Sequence, residues 1–135
     1  MQHDIFIGQV QTRARLDSRG AAETATRATL ETLAERITSE LADNLASQLP
    51  REIGENVRRV TVDRENESVG VESFGEREFI DRVSERAYSD HPTAAHSSRA
   101  VFEVLDEATT GELMDKVRRS LPEDLREFTL QGSQG

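Results

Sequence analysis

The sequence predicts an all-α domain built from two similar halves of three to four helices each. Three observations carry that prediction. Apolar residues recur three or four positions apart along most of the chain, residues that start or stop helices fall between these runs, and the pattern returns later in the chain. Phe6-Ile7 meets Phe79-Ile80, Val10 meets Val83 and Ala14 meets Ala87 at an offset of 73. After one gap the offset becomes 72, and Arg27-Ala28 meets Arg99-Ala100, Leu30 meets Phe102, Leu33 meets Leu105, Glu40-Leu41 meets Glu112-Leu113 and Leu49-Pro50 meets Leu121-Pro122. The expected architecture is a pseudo-twofold helical bundle forming one domain over residues 1–135. Its halves lie at about 3–56 and 74–128, joined by a connector at 57–73, and the polar tail 131–135 is expected to be disordered.

Each element has a local reason. Ile5, Phe6, Val10 and Ala14 share one face of a helix over 3–15, closed by Leu16-Asp17-Ser18. A long helix over 19–37 carries Ala22, Ala25, Ala28 or Thr29, Leu30, Leu33 and Ile37 inward, with Glu23, Arg27, Glu31 and Glu35 left for the wet side. Thr38 or Ser39 can cap a third helix bearing Leu41, Leu45 and Leu49, and Pro50 suits the first turn of a short fourth holding Ile53 and Val57. In the later half, Ser73 with Glu76 fits a capping box before Phe79, Ile80 and Val83. Asp90 or His91 precedes Pro92 at the start of the second long helix, Thr110 caps the segment Leu113–Leu121, and Pro122 opens a last turn with Leu125 and Phe128. In the connector, Val57, Val60 and Val62, then Val69 and Val71, alternate around Arg64-Glu65-Asn66-Glu67. That pattern points to a small β-hairpin, with a mobile linker as the competing reading. The small residues of the two long helices, among them Ala25, Ala28, Ala95, Ser98 and Ala100, predict a close crossing of one helix on the other.

Composition narrows the function classes. Leu, Ile, Val and Phe supply 31 of 135 positions, enough for one small folded core with a thin margin. The absence of cysteine removes disulfides, thiolate metal sites and thiol nucleophiles. The formal charge of −9 repels phosphate backbones and anionic lipid, so neither nucleic acid nor membrane is an expected partner. No apolar run is long enough for a membrane span, and the start Met1-Gln2-His3-Asp4 does not read as a signal peptide, which predicts a soluble, cytoplasmic protein. An acidic surface with Lys116 as its only lysine is similar to those of proteins from salt-loving archaea, although a GC-rich genome produces the same arginine bias.

The order Phe-Ile-x-x-Val, a long helix ending in Leu-x-x-Leu, then Glu-Leu-x-x-x-Leu-x-x-x-Leu-Pro, resembles the bacterial and archaeal domain-of-unknown-function family numbered 2267. The residues that carry the likeness are Phe6, Ile7, Val10, Arg27, Leu30, Leu33, Glu40, Leu41, Leu45, Leu49 and Pro50, with a second copy from Phe79 to Pro122, so that it covers residues 3–128. The resemblance implies a helical protein of two similar halves and transfers no activity and no catalytic residue.

The search for chemistry returns little. His3, His91 and His96 have no metal-ligand spacing and read as capping or solvated side chains. Glu31/Glu35 and Glu103/Glu107 are carboxylate pairs at i,i+4, read as solvated surface acids because the Glu-x-x-His motifs of a di-metal bundle are missing. Ser18, Ser39, Ser97 and Ser98 lack a nucleophile-elbow setting, and no phosphate-cradling glycine loop is present. Arg58-Arg59 and Arg118-Arg119 read as surface ion-pair partners. A helix-turn-helix over 19–49 would place Glu40 and Asp43, with no basic residue, on its recognition helix.

No catalytic residue, metal ligand or cofactor is therefore expected, and nothing positive suggests an enzyme. The preferred reading is a non-catalytic protein-binding or self-associating scaffold module, with a protein partner or a second copy of the chain as its ligand. The alternative is a small-ligand-binding protein or an enzyme with a polar pocket between the halves, for which Arg27 and Arg99 are the candidate binding residues.

Overall fold

A computed structural model describes residues 1–67 and 70–134. Eight helices are present among them and no strand: α1 (His3–Ala14), α2 (Arg19–Arg36), α3 (Ser39–Gln48), α4 (Arg51–Asn66), α5 (Glu76–Ala87), α6 (His91–Ala108), α7 (Gly111–Arg119) and α8 (Glu123–Leu130).

Local chemistry places most of the boundaries. Ser18, Thr38, Asp90 and Thr110 each accept a hydrogen bond from a backbone N–H three residues on, satisfying a donor that the first helical turn leaves free. Arg15 and Tyr88 end α1 and α5 in the left-handed conformation, at φ 56° and 53°. They lie 73 positions apart, and the residue after each donates back into the helix, Leu16 N–H to the Gln11 carbonyl and Ser89 N–H to the Ser84 carbonyl. Pro50 and Pro122 stand immediately before α4 and α8. The start of α5 departs from the expected Ser73–Glu76 box. Gly75 is the residue before the helix, and the first helical N–H, from Glu76, is taken by the Asp124 carboxylate of α8 at 3.0 Å. A Cβ on Gly75 would lie 2.7 Å from that carboxylate, so any larger residue would push the Asp124 side chain aside.

The long helices α2 and α6 touch each other at the centre. α1 packs on both of them, and so does α5. Each short first helix thus bridges its own half and the other. Where α2 and α6 meet, the hydroxyls of Thr29 and Ser98 are 3.2 Å apart in a buried hydrogen bond. α2 buries Ala22, Ala25, Thr26, Ala28, Thr29, Leu30, Thr32, Leu33 and Ala34 because it has neighbours on nearly every side, which its small residues permit. The core is continuous through both halves and includes Phe6, Leu30, Leu33, Leu45, Ile53, Phe79, Phe102, Leu105 and Phe128.

Two expectations for the connector and tail are corrected. Residues 57–66, the intended first strand and turn of the hairpin, continue α4. Gly70–Glu72 is irregular, while Ser68 and Val69 lie outside the described residues. The reason is periodicity: Ile53, Val57, Thr61 and Arg64 form one buried stripe at helical spacing, whereas a two-stranded hairpin would have no further sheet to pack on. Within the expected tail, residues 132 and 133 are held rather than loose, while Gly135 lies outside the described residues. Arg99 donates to the Gly132 carbonyl at 3.0 Å, His96 bonds the Ser133 carbonyl at 2.8 Å, and the buried Ser133 hydroxyl bonds Glu103.

Candidate functional site

The polar groups that the fold brings together lie mainly where the halves meet. Glu35, near the end of α2, accepts a two-pronged hydrogen bond from Arg86 of α5, both contacts at 2.8 Å, and a further one from Arg82 at 3.0 Å. Arg82 also grips Glu72 through two contacts of 3.1 Å, pairs with Glu78, and lies 4.0 Å from the centre of the Phe74 ring. Arg86 donates in addition to the Thr32 hydroxyl at 2.7 Å. Burial pushes the Glu35 carboxyl upward, but hydrogen bonds and charge from Arg86 and Arg82 outweigh it and hold the group below the usual carboxylate range. Both arginines are correspondingly driven further toward the charged state, chiefly by the hydrogen bonds that Arg82 donates to Glu72 and Arg86 donates to Glu35.

A matching contact joins the opposite ends of the halves. Arg13 of α1 pairs with Glu107 and approaches Glu103 on α6. Arg13 and Arg86 are 73 apart, and Glu31/Glu35 precede Glu103/Glu107 by 72. The reading of these four acids as solvated is therefore incomplete: Glu31 and Glu35 are each only 18% exposed and tie α2 to α5. The signal was present in the offsets, in charged residues rather than apolar ones.

Beside Glu35 lies an open cleft of about 300 Å3, walled by Glu31, Glu35, Arg59, Val60, Asp63, Arg64, Glu67, Glu72 and Arg86. Extension of α4 past residue 57 builds one wall. Arg64, buried, anchors that wall by donating to the Ala34 carbonyl and the Ser39 hydroxyl, both at 2.9 Å.

Arg27 and Arg99, the two residues singled out from sequence, do not meet. Arg27 stands 3.8 Å from Glu31 and faces a groove between α1, α2 and α4, while Arg99 reaches the Gly132 carbonyl and lies 5.7 Å from the Phe128 ring centre. The two arginine pairs also divide. Arg58 faces Asp43 and Arg59 faces Glu31 on the surface. Arg118 is instead buried, with a two-pronged bond to Asp106 at 2.8 and 2.9 Å and another to the Thr129 hydroxyl. Among the described residues no helix is long and apolar enough to cross a membrane.

Residues 3–128 match the family described as Uncharacterized conserved protein (DUF2267). The chain belongs to that family. No curated protein matches it. Membership in DUF2267 agrees with the resemblance carried by Phe6, Leu49 and their later counterparts, and it brings no assigned chemistry to the cleft.

Proposed function

We propose that this DUF2267 protein is a non-catalytic binding module, one helical unit written twice, whose recognition element is the cleft beside Glu35. Its occupant is a cationic group presented by a protein partner. The supporting observation is how the cleft divides its charges. Arg64, Arg86 and Arg59 all donate to protein acceptors, the last to Asn56 at 2.7 Å. Asp63 on α4 and Glu67 immediately after it are exposed and have no ion pair among the described residues. The carboxylates are thus the groups left to recognise something, and the net charge of −9 draws cations toward them. A space of about 300 Å3 sits at the lower limit of small-molecule sites and suits one amine or guanidinium head. That small size also supports the second reading, a free amine bound in the same place.

An amide NMR titration with an arginine- and lysine-rich peptide, and separately with spermidine, tests both. The first reading expects saturable shifts at residues 60–67 and at Glu35 and Arg86, strongest at low salt and lost in the double variant Asp63→Lys, Glu67→Lys. Binding of spermidine without the peptide favours the free amine. Silence from both ends the proposal. Self-association through another face would instead appear as a concentration-dependent mass in sedimentation equilibrium. The acidic, lysine-poor exterior is read as suited to concentrated salt, so the titration is repeated across salt.

A further inference from the structure

The groove that Arg27 faces lies further along α2 and α4 from the cleft and has different wall residues, although Arg27 stands 3.8 Å from Glu31 and Asn56 accepts from Arg59 at the border between them. It has a volume of about 480 Å3 between α1, α2 and α4. In its wall is Thr26, only 1% exposed, whose hydroxyl has no hydrogen-bond partner. An unpartnered buried hydroxyl costs free energy, so a native one calls for an explanation.

The later half shows what a closed version looks like. Counting 72 residues on, Thr26 corresponds to Ser98, Arg27 to Arg99 and Asn56 to Phe128. The Ser98 hydroxyl is satisfied by Thr29, the Phe128 ring is buried against Phe79 at 6.2 Å between ring centres, and Arg99 is occupied by the Gly132 carbonyl. In the earlier half Asn56 stands in place of the ring, the groove is open, and the hydroxyl is left over.

The remaining groups around the opening define the chemistry. Arg27 is too far from Glu31 for a hydrogen bond, so its N–H groups stay available. Glu52, across the groove on α4, has no ion pair among the described residues. Asn56 accepts from Arg59 through its carbonyl oxygen, which leaves its NH2 group to donate. A guanidinium on α2, an amide donor and a carboxylate one turn apart on α4, and a neutral hydroxyl in the wall match a molecule bearing both charges.

We infer that the groove between α1, α2 and α4 is a binding site for a small zwitterion of the α-amino acid class. Its carboxylate faces Arg27 and the Asn56 amide, its ammonium faces Glu52, and one polar atom bonds the Thr26 hydroxyl. The test is an amide NMR titration of the full chain with L-alanine and L-glutamine, with ethylamine and propionate as single-charge controls. Saturable shifts confined to residues 20–27 and 52–56 are expected, with the controls at least about tenfold weaker. Asn56→Phe, which supplies the ring found in the later half, removes binding. Thr26→Val weakens it by roughly three- to tenfold, the usual worth of one neutral hydrogen bond, and leaves the melting temperature unchanged or higher. The inference is overturned if neither amino acid gives saturable shifts, if the single-charge controls bind equally well, or if Thr26→Val binds as the parent does. The two sites adjoin through Arg27–Glu31 and Asn56–Arg59, so their outcomes are told apart by where the shifts fall, at residues 20–27 and 52–56 here against residues 60–67, Glu35 and Arg86 for the cleft, and by the Thr26→Val variant, which touches only the groove.

Discussion

Glu35 joins α2 to α5 through Arg86 and Arg82, and its lowered pKa gives the contact a pH signature. A carboxylate more acidic in the folded chain than in the unfolded one adds stability above its unfolded value, 4.5, and that stability is lost as pH falls through the lowered folded value. Glu35→Gln should therefore lower stability by about 1–2 kcal/mol near neutrality, less than for a fully buried pair because part of the site is wet. The deficit should shrink as pH falls from 4.5 through the lowered folded value, below which the parent carboxyl is itself neutral. Urea denaturation at several pH values checks this, and a deficit constant with pH would refute it. Glu107→Gln removes a more exposed partner of Arg13 and should cost under about 1 kcal/mol. Arg15 and Tyr88 offer the opposite test. Both hold a left-handed conformation that glycine adopts without strain, and Tyr88 is 92% exposed, so Tyr88→Gly should stabilise by roughly 0.5–1 kcal/mol. A melting temperature lower than the parent's would reject that account.

At the scale of elements, the contact of α3 with α4 depends on smallness. A Cβ on Gly54 would lie 2.7 Å from the Ala46 carbonyl oxygen, a backbone atom that cannot swing aside. Gly54→Ala should cost about 1–3 kcal/mol, outweighing the gain in helix propensity, and thermal unfolding would reveal it. In the later half the corresponding residues are Arg118 and Arg126. There Arg126 donates to the Arg118 and Leu121 carbonyls, so polar bonds join α7 and α8 in place of close backbone approach. The small residues of the long helices need a similar distinction. Ala25 borders an open apolar cleft of about 290 Å3, where a larger side chain has room, whereas Ala28 and Ala100 are fully enclosed. Overpacking is therefore expected at the latter two: Ala28→Leu should lower stability by roughly 1–3 kcal/mol, and an unchanged melting temperature would count against the packing described.

On the scale of the whole molecule, neither half encloses its own core. α1 lies on α6 as well as α2, and α5 lies on α2 as well as α6, so each half alone would leave apolar faces in water. A fragment of residues 1–67 should be weakly helical by circular dichroism, and mixing it with residues 70–135 should restore helicity. A fully helical, cooperatively melting fragment would show the halves to be independent.

Much of this architecture was legible in one sequence. The caps at Ser18, Thr38, Asp90 and Thr110 and the inward stripes of α2 and α6 all rest on short-range rules: a side chain satisfying a nearby N–H, or apolar residues returning once per turn. The path of residues 57–66 was misread because Val60 and Val62 alternate like a strand, while the stripe from Ile53 to Arg64 was hidden by ending on an arginine. Tertiary structure alone decided which charges meet, since an arginine on one helix has many acids within sequence reach and only three-dimensional proximity selects Glu35 for Arg86 or Asp106 for Arg118. It also decided that residues 132 and 133 dock on α6, and that Asn56 and Thr26 border an open groove where Phe128 and Ser98 are packed. Helices follow from their own residues; cavities and ion pairs belong to surfaces that several helices make together.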